Sequence, residues 1–160
     1  MNMKTTTACS QQFRNFKGTL VSLRMASNDN AGGISIIEHQ MPYGEAPPLH
    51  VHRNEDEIFH VLRGSMRFEI DGHIRVAHAG DILMAPKGVP HRFIVDSLDG
   101  AHCLTIMKGK DFETLVAEMS VAVADTSMPP KVEPSPDMIA ALVTACARNA
   151  IDVIGPPLAA

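Results

Sequence analysis

At 160 residues the chain is sized for one hydrophobic core. Its 45% hydrophobic and 20% charged residues exclude a disordered chain, and a net charge of −4 with singly scattered Lys and Arg excludes a basic stripe for nucleic acid. The first thirteen residues carry one lysine and no apolar run of signal-peptide length, and no later segment has the apolar length of a bilayer span, so the expectation is a cytoplasmic protein with no membrane or nucleic-acid partner.

Residues 1–18 are read as an N-terminal arm. From there to residue 108 the sequence is a series of short β-like runs, 19–25, 33–40, 57–62, 66–70, 82–85, 91–95 and 101–107, broken by Gly, Pro, Asp and Asn. Short strands at close spacing indicate a sandwich or barrel. Met66, Phe68 and Ile70 alternate with Ser65, Arg67 and Glu69, the period of a strand with one covered face. Ile58-Phe59-His60-Val61-Leu62 is nearly apolar throughout, which predicts cover on both faces, by the barrel on one side and a helix or second subunit on the other. A homodimer is the expectation. Asp71-Gly72 fits a two-residue hairpin loop.

After Gly109 the period changes. Phe112, Leu115, Val116 and Met119 form a helical stripe with Asp111 as N-cap, predicting a helix to about Ala124. A proline-rich linker over 126–136 leads to Ser135-Pro136, an N-cap with Pro at the first helical position, and a second helix to about Arg148. Its Ile139, Leu142, Val143 and Cys146 make a packing face, and 151–154 could add an edge strand. Residues 109–160 are therefore expected to pack on the barrel as a helical segment. Cys9, Cys103 and Cys146 are odd in number and far apart, which fits reduced buried thiols better than disulfides or a zinc knuckle.

His50-Val51-His52 places two imidazoles at i and i+2, on one face of a strand. A hairpin through residues 53–56 would bring Glu57 back beside them. His91 follows Pro86-Lys87-Gly88-Val89-Pro90, a turn that fixes the entry angle of the next strand, and its inward projection would complete a set of three imidazoles and one carboxylate. Such donors without thiolate suit Fe(II), Mn(II), Co(II) or Ni(II), with Zn(II) also compatible. Four protein ligands on an ion that prefers about six leave positions open, which suits chemistry better than a closed structural site.

These residues carry a resemblance. Gly44, His50, His52, Glu57 and Gly64 match every fixed position of the first cupin motif, G-x5-H-x-H-x3,4-E-x6-G. The stretch from Gly80 to His91 resembles the second, G-x5-P-x-G-x2-H-x3-N, departing where Val95 replaces the asparagine. The chain is thus similar to the cupin superfamily. The resemblance implies an all-β jelly-roll barrel over 19–108 with a short C-terminal helical tail, and a metal held by His50, His52, Glu57 and His91.

The run PPLHVHRNEDEIFHVLRGSMRFEIDG and the terminal IDVIGPP look like bacterial single-barrel proteins similar to quercetin 2,3-dioxygenases. In those enzymes the carboxylate matching Glu57 serves as metal ligand and general base, so the resemblance implies a metal-dependent dioxygenase of a small aromatic or enolisable substrate. Cupins with this ligand set also include isomerases and decarboxylases of sugars or keto acids, and non-catalytic small-molecule binders. Phe59, Met84, Phe93 and Met107 are candidates for the cavity wall, Tyr43 for its mouth and Arg53 for steering an anion. His39, His60, His73, His78 and His102 stand at no motif position and are read as outside the site.

Overall fold

The computed structural model describes residues 12–130 and 132–159. Among these, the strands are β1 (Phe13–Phe16), β2 (Thr19–Met25), β3 (Ile34–Met41), β4 (Pro48–His52), β5 (Glu57–Arg63), β6 (Ser65–Ile70), β7 (His73–His78), β8 (Ile82–Ala85), β9 (His91–Val95), β10 (Ala101–Lys108), β11 (Ser120–Ala122) and β12 (Ile151–Pro157). Two α-helices, α1 (Asp111–Met119) and α2 (Pro136–Arg148), and a 3-10 turn at Ser27–Asp29 complete the set. The strands form two antiparallel sheets, ordered β11-β1-β2-β3-β10-β5-β8 and β12-β4-β9-β6-β7. This is the expected all-β jelly-roll barrel with a C-terminal helical tail.

The period of two explains why the sheets face each other. Phe59 and Val61 from β5, Met66 and Phe68 from β6, Val95 from β9 and Cys103 from β10 all project inward into one core. Phe59 and Phe68 meet at 4.9 Å between ring centroids. Asp71 and Gly72, both at positive φ, close the β6–β7 hairpin with Ile70 opposite His73. Gly64, at φ 82°, turns β5 into β6, and a Cβ there would stand 2.5 Å from the Ser97 hydroxyl, so only glycine fits.

Several elements depart from the sequence reading. Residues 13–16, within the segment read as an arm, pair with β2 and β11. The first helix ends at Met119, not near Ala124, because Ser120–Ala122 leaves it to pair with β1. Arg14 secures that edge, donating from Nε to the Ser120 hydroxyl at 2.7 Å and from Nη2 to its carbonyl at 2.8 Å. Asp111 is the first helical residue and not the N-cap; Lys110 occupies the cap position without a side-chain bond. The second helix has the expected start, with Met138 N donating to the Ser135 hydroxyl. The terminal strand continues to Pro157, opposite Pro48 of β4, as prolines can in an edge strand with an irregular ladder.

The outer side of β5 lacks the helix cover that was one of its two expected forms. Ile58 and His60 are half-buried and Leu62 is exposed, and the helices pack elsewhere, α2 with part of α1 at the β12 side and the rest of α1 on Val21 of β2 and Ile37 of β3. Instead a row of apolar side chains, Met25, Ile36, Ile106, Ile58 and Met84, crosses five neighbouring strands in register. Cys103 and Cys146 are free and buried, and burial pushes their thiols up to about 12 and about 11. Cys9 lies outside the described residues. Among the described residues no helix is long and apolar enough to cross a membrane.

Candidate metal centre

The structure brings His50, His52, Glu57 and His91 together, one donor atom from each lying within 4.8 Å of the others. His50 and His52 share a face of β4, and His91 on β9 stands directly opposite His50 in register. Ring centroids are 4.4 Å apart for His50 and His91, and 5.3 Å for His50 and His52. Glu57 does not arrive by a hairpin. Strands β4 and β5 belong to different sheets, so residues 53–56 cross from one to the other and Glu57 meets the histidines across the barrel interior. Convergence from opposing sheets surrounds a point, which one strand and its hairpin neighbour cannot do.

Glu57 Oε2 lies 3.0 Å from His91 Nε2 and 3.3 Å from His52 Nε2. Burial opposes the Glu57 charge, but His52 and His91 hold the carboxyl well below the usual carboxylate range. Burial likewise opposes charge on His52, yet Glu57 and Glu55 outweigh it and raise this imidazole to about 9. His50 is lowered to about 4 by burial and by His91 beside it. Without a metal, the site therefore holds a tight pair of a charged Glu57 and a charged His52 beside a neutral His50 at neutral pH.

Two details fit a metal ion. Both ring nitrogens of His52 are buried without a hydrogen bond of good geometry, facing carboxylates only at 3.3 Å (Glu57) and 3.8 Å (Glu55), so an ion at the cluster would engage Nε2 more closely than any protein group does. His50 Nδ1 lies 2.7 Å from the Pro48 carbonyl and His91 Nδ1 lies 3.0 Å from the Val89 carbonyl. Those contacts orient both rings with Nε2 toward the cluster, the usual disposition of a metal-ligating histidine.

The cluster opens onto a cavity of about 830 Å³ with apolar walls that include Phe59, Phe93, Phe112, Leu115 and Leu142. Phe59 and Phe93 thus line it as expected. Met84 does not: it is 51% exposed on the outer face, because a four-residue strand with apolar residues at both phases turns the half-buried Leu83 and the buried Ala85 inward instead. Met107 is buried without lining the cavity, and Tyr43 points out at 48% exposure. Arg53 donates to the Ala147 carbonyl at 2.9 Å and pairs with Asp152 at 3.5 Å, joining α2 to β12 rather than facing the site.

His60, His73, His78 and His102 lie away from the cavity, but His39, also read as outside, lines it. Its Nε2 is 3.0 Å from the Thr105 hydroxyl and its ring stacks on Phe112 with centroids 6.0 Å apart. The alternation Ser35, Ile37, His39, Met41 was the available signal, since it puts His39 on the inward phase of β3. Glu55, also missed, is 2% exposed in the 53–56 connection, where no periodicity marks the inward side.

Residues 37–107 match the family model described as the cupin domain. Over 65 residues the chain is 40% identical to an uncharacterized HTH-type transcriptional regulator, YdiP, of Escherichia coli K12, covering 40% of this chain and 22% of that one. Over 81 residues it is 32% identical to quercetin 2,3-dioxygenase of Bacillus subtilis 168, covering 50% and 24%. The matched segments thus span less than a quarter of those relatives. An RmlC-like cupin of Shewanella frigidimarina superposes with a TM-score of 0.57 at 18% identity, over 69% of this chain and 96% of that chain, a likeness of fold alone.

Proposed function

The chain carries a cupin domain across residues 37–107, and we propose that it is a metal-dependent dioxygenase of a small, largely apolar aromatic or enolisable substrate. One observation carries the reading. The four-donor cluster sits in an apolar cavity in which Lys17 is the sole Lys or Arg among the described lining residues. A sugar would need polar side chains to meet its hydroxyls, and a keto acid a cation beyond the metal for its carboxylate, whereas an uncharged aromatic body needs walls such as these.

A divalent transition metal, Fe, Mn, Ni, Co or Zn, would be held by His50, His52, Glu57 and His91 and would supply Lewis acidity that lowers the pKa of a substrate hydroxyl. His50 and His91, fixed through Nδ1 by backbone carbonyls, present Nε2 at a constant angle. Glu57 accepts the substrate proton. Its strongly depressed pKa makes it a weak base, so the transfer requires a hydroxyl already acidified. Phe59, Phe93 and Phe112 keep bulk water from the reacting end.

Elemental analysis of purified protein, then O₂ uptake with flavonols and simple catechols, tests the reading. Glu57→Gln should lower turnover roughly 10²–10⁴-fold, the usual share of a general base. A variant retaining both metal and full turnover refutes Glu57 as base. Turnover that persists under strict anaerobiosis supports the isomerase or decarboxylase alternative instead. A second reading, a ligand-sensing barrel without turnover, draws on the similarity to the transcriptional regulator. Tight ligand binding without O₂ uptake across the panel would favour it. We further propose that two copies associate through the apolar row on the outer face of the larger sheet.

A further inference from the structure

Of the three site histidines, two have a backbone carbonyl two residues back as their Nδ1 partner, and His52 does not. Glu55 Oε2 faces His52 Nδ1 from 3.8 Å away and is equally buried. The carboxylate is not free to wander. Its Oε1 accepts the Asp111 amide at 2.8 Å, and its Oε2 accepts the Phe112 amide at 3.1 Å. It therefore serves as the missing cap of α1, at the end where the helix dipole favours an anion.

Gly109 makes room for this arrangement. Its φ is 146°, and a Cβ there would stand 2.9 Å from Glu55 Cδ. The helix so capped carries Phe112, whose ring lies 5.9 Å from that of His52 in edge contact and 6.0 Å from His39. One carboxylate thus stands between a site histidine and the helix that walls the cavity.

We infer that Glu55 is the positioning residue of His52, and that loading of the metal site and docking of α1 are coupled through it. The inference rests on the proposed metal site. A ligand that takes the Nε2 lone pair leaves the ring proton on Nδ1, and that proton needs an acceptor. Glu55 Oε2 has a second lone pair to offer, so an ion at the cluster recruits the carboxylate that already holds the first turn of α1. By linkage, the factor by which metal tightens the helix equals the factor by which the docked helix tightens metal.

The test combines Co(II) titration with amide hydrogen exchange at Asp111 and Phe112, in the metal-free and loaded full-length protein. Loading should raise protection of both amides in the wild type. Glu55→Gln, which keeps the shape but lacks the second acceptor oxygen, should weaken Co(II) binding roughly 10–100-fold and abolish the metal-dependent gain in protection. Gly109→Ala, which displaces Glu55 without touching His52, should reproduce both effects. Glu55→Gln binding Co(II) as the wild type does, or α1 protection indifferent to metal, overturns the coupling while leaving the metal site standing. A wild type that takes up no Co(II) overturns both, even with the Glu55 cap visible in the metal-free exchange rates.

Discussion

His39 offers a quantitative test of how the barrel treats a buried imidazole. It is 6% exposed, held by Thr105 and stacked on Phe112, and burial, the largest influence, lowers its pKa from 6.5 to about 4. Glu57 pulls the value up and His102 pushes it down, both less strongly than burial. The folded state therefore binds this proton less readily than the unfolded chain. Stability from a neutral His39 is fully present above pH 6.5 and is lost as pH falls from 6.5 to about 4. A difference of about 2.5 pH units, at about 1.4 kcal/mol per unit, makes the full loss on the order of 3 kcal/mol. His39→Gln keeps an N–H donor for Thr105 but cannot take the proton. Urea denaturation of both proteins between pH 4 and 8, without metal, should give curves that converge in slope above pH 6.5. Below it they should separate by up to that amount, with the wild type falling faster. Parallel curves across the whole range would refute a neutral buried His39.

Two further substitutions probe the fold and the surface. Val95 is fully buried opposite Met66 where the family motif has asparagine, so Val95→Asn should place an unpaired amide in the core. The expected loss is roughly 1–3 kcal/mol, read as a lower thermal midpoint of roughly 2–4 °C per kcal/mol; unchanged stability would mean the position has a polar partner. Met84→Lys, at a 51% exposed position of the outer apolar row, should shift sedimentation from dimer to monomer while leaving Co(II) affinity unchanged. A wild type already monomeric at high concentration would end the dimer proposal.

What the sequence revealed depended on whether a residue sat in a periodic run. The alternation of Met66, Phe68 and Ile70 and the Asp71-Gly72 turn marked β6 and its hairpin directly. The i, i+2 pair His50 and His52 was equally plain, since strand geometry alone places both on one face. The route of Glu57 was not, because whether residues 53–56 form a hairpin or a crossing depends on which sheet β5 joins, a long-range choice. The strand Phe13–Phe16 has no alternation to read and exists through its pairing with Leu20 and Val121. Glu55 shows the same limit: its role comes from α1 amides more than fifty residues away in the chain. Met84 was misplaced because Ile82, Leu83 and Met84 are apolar in both phases of a short strand.

The partition of the donors between the sheets bears on the order in which the molecule assembles. His50, His52 and His91 belong to the smaller sheet and Glu57 to the larger, so the complete set exists only after the two sheets have closed on each other. His50, His52 and Glu57 lie close in the chain, but their donor atoms converge, and His91 joins them, only where the two sheets meet, unlike the ligands of a local zinc-binding loop. Barrel closure, with its long-range strand pairings, completes the donor set, and a metal bound there would stabilise the closed fold by mass action.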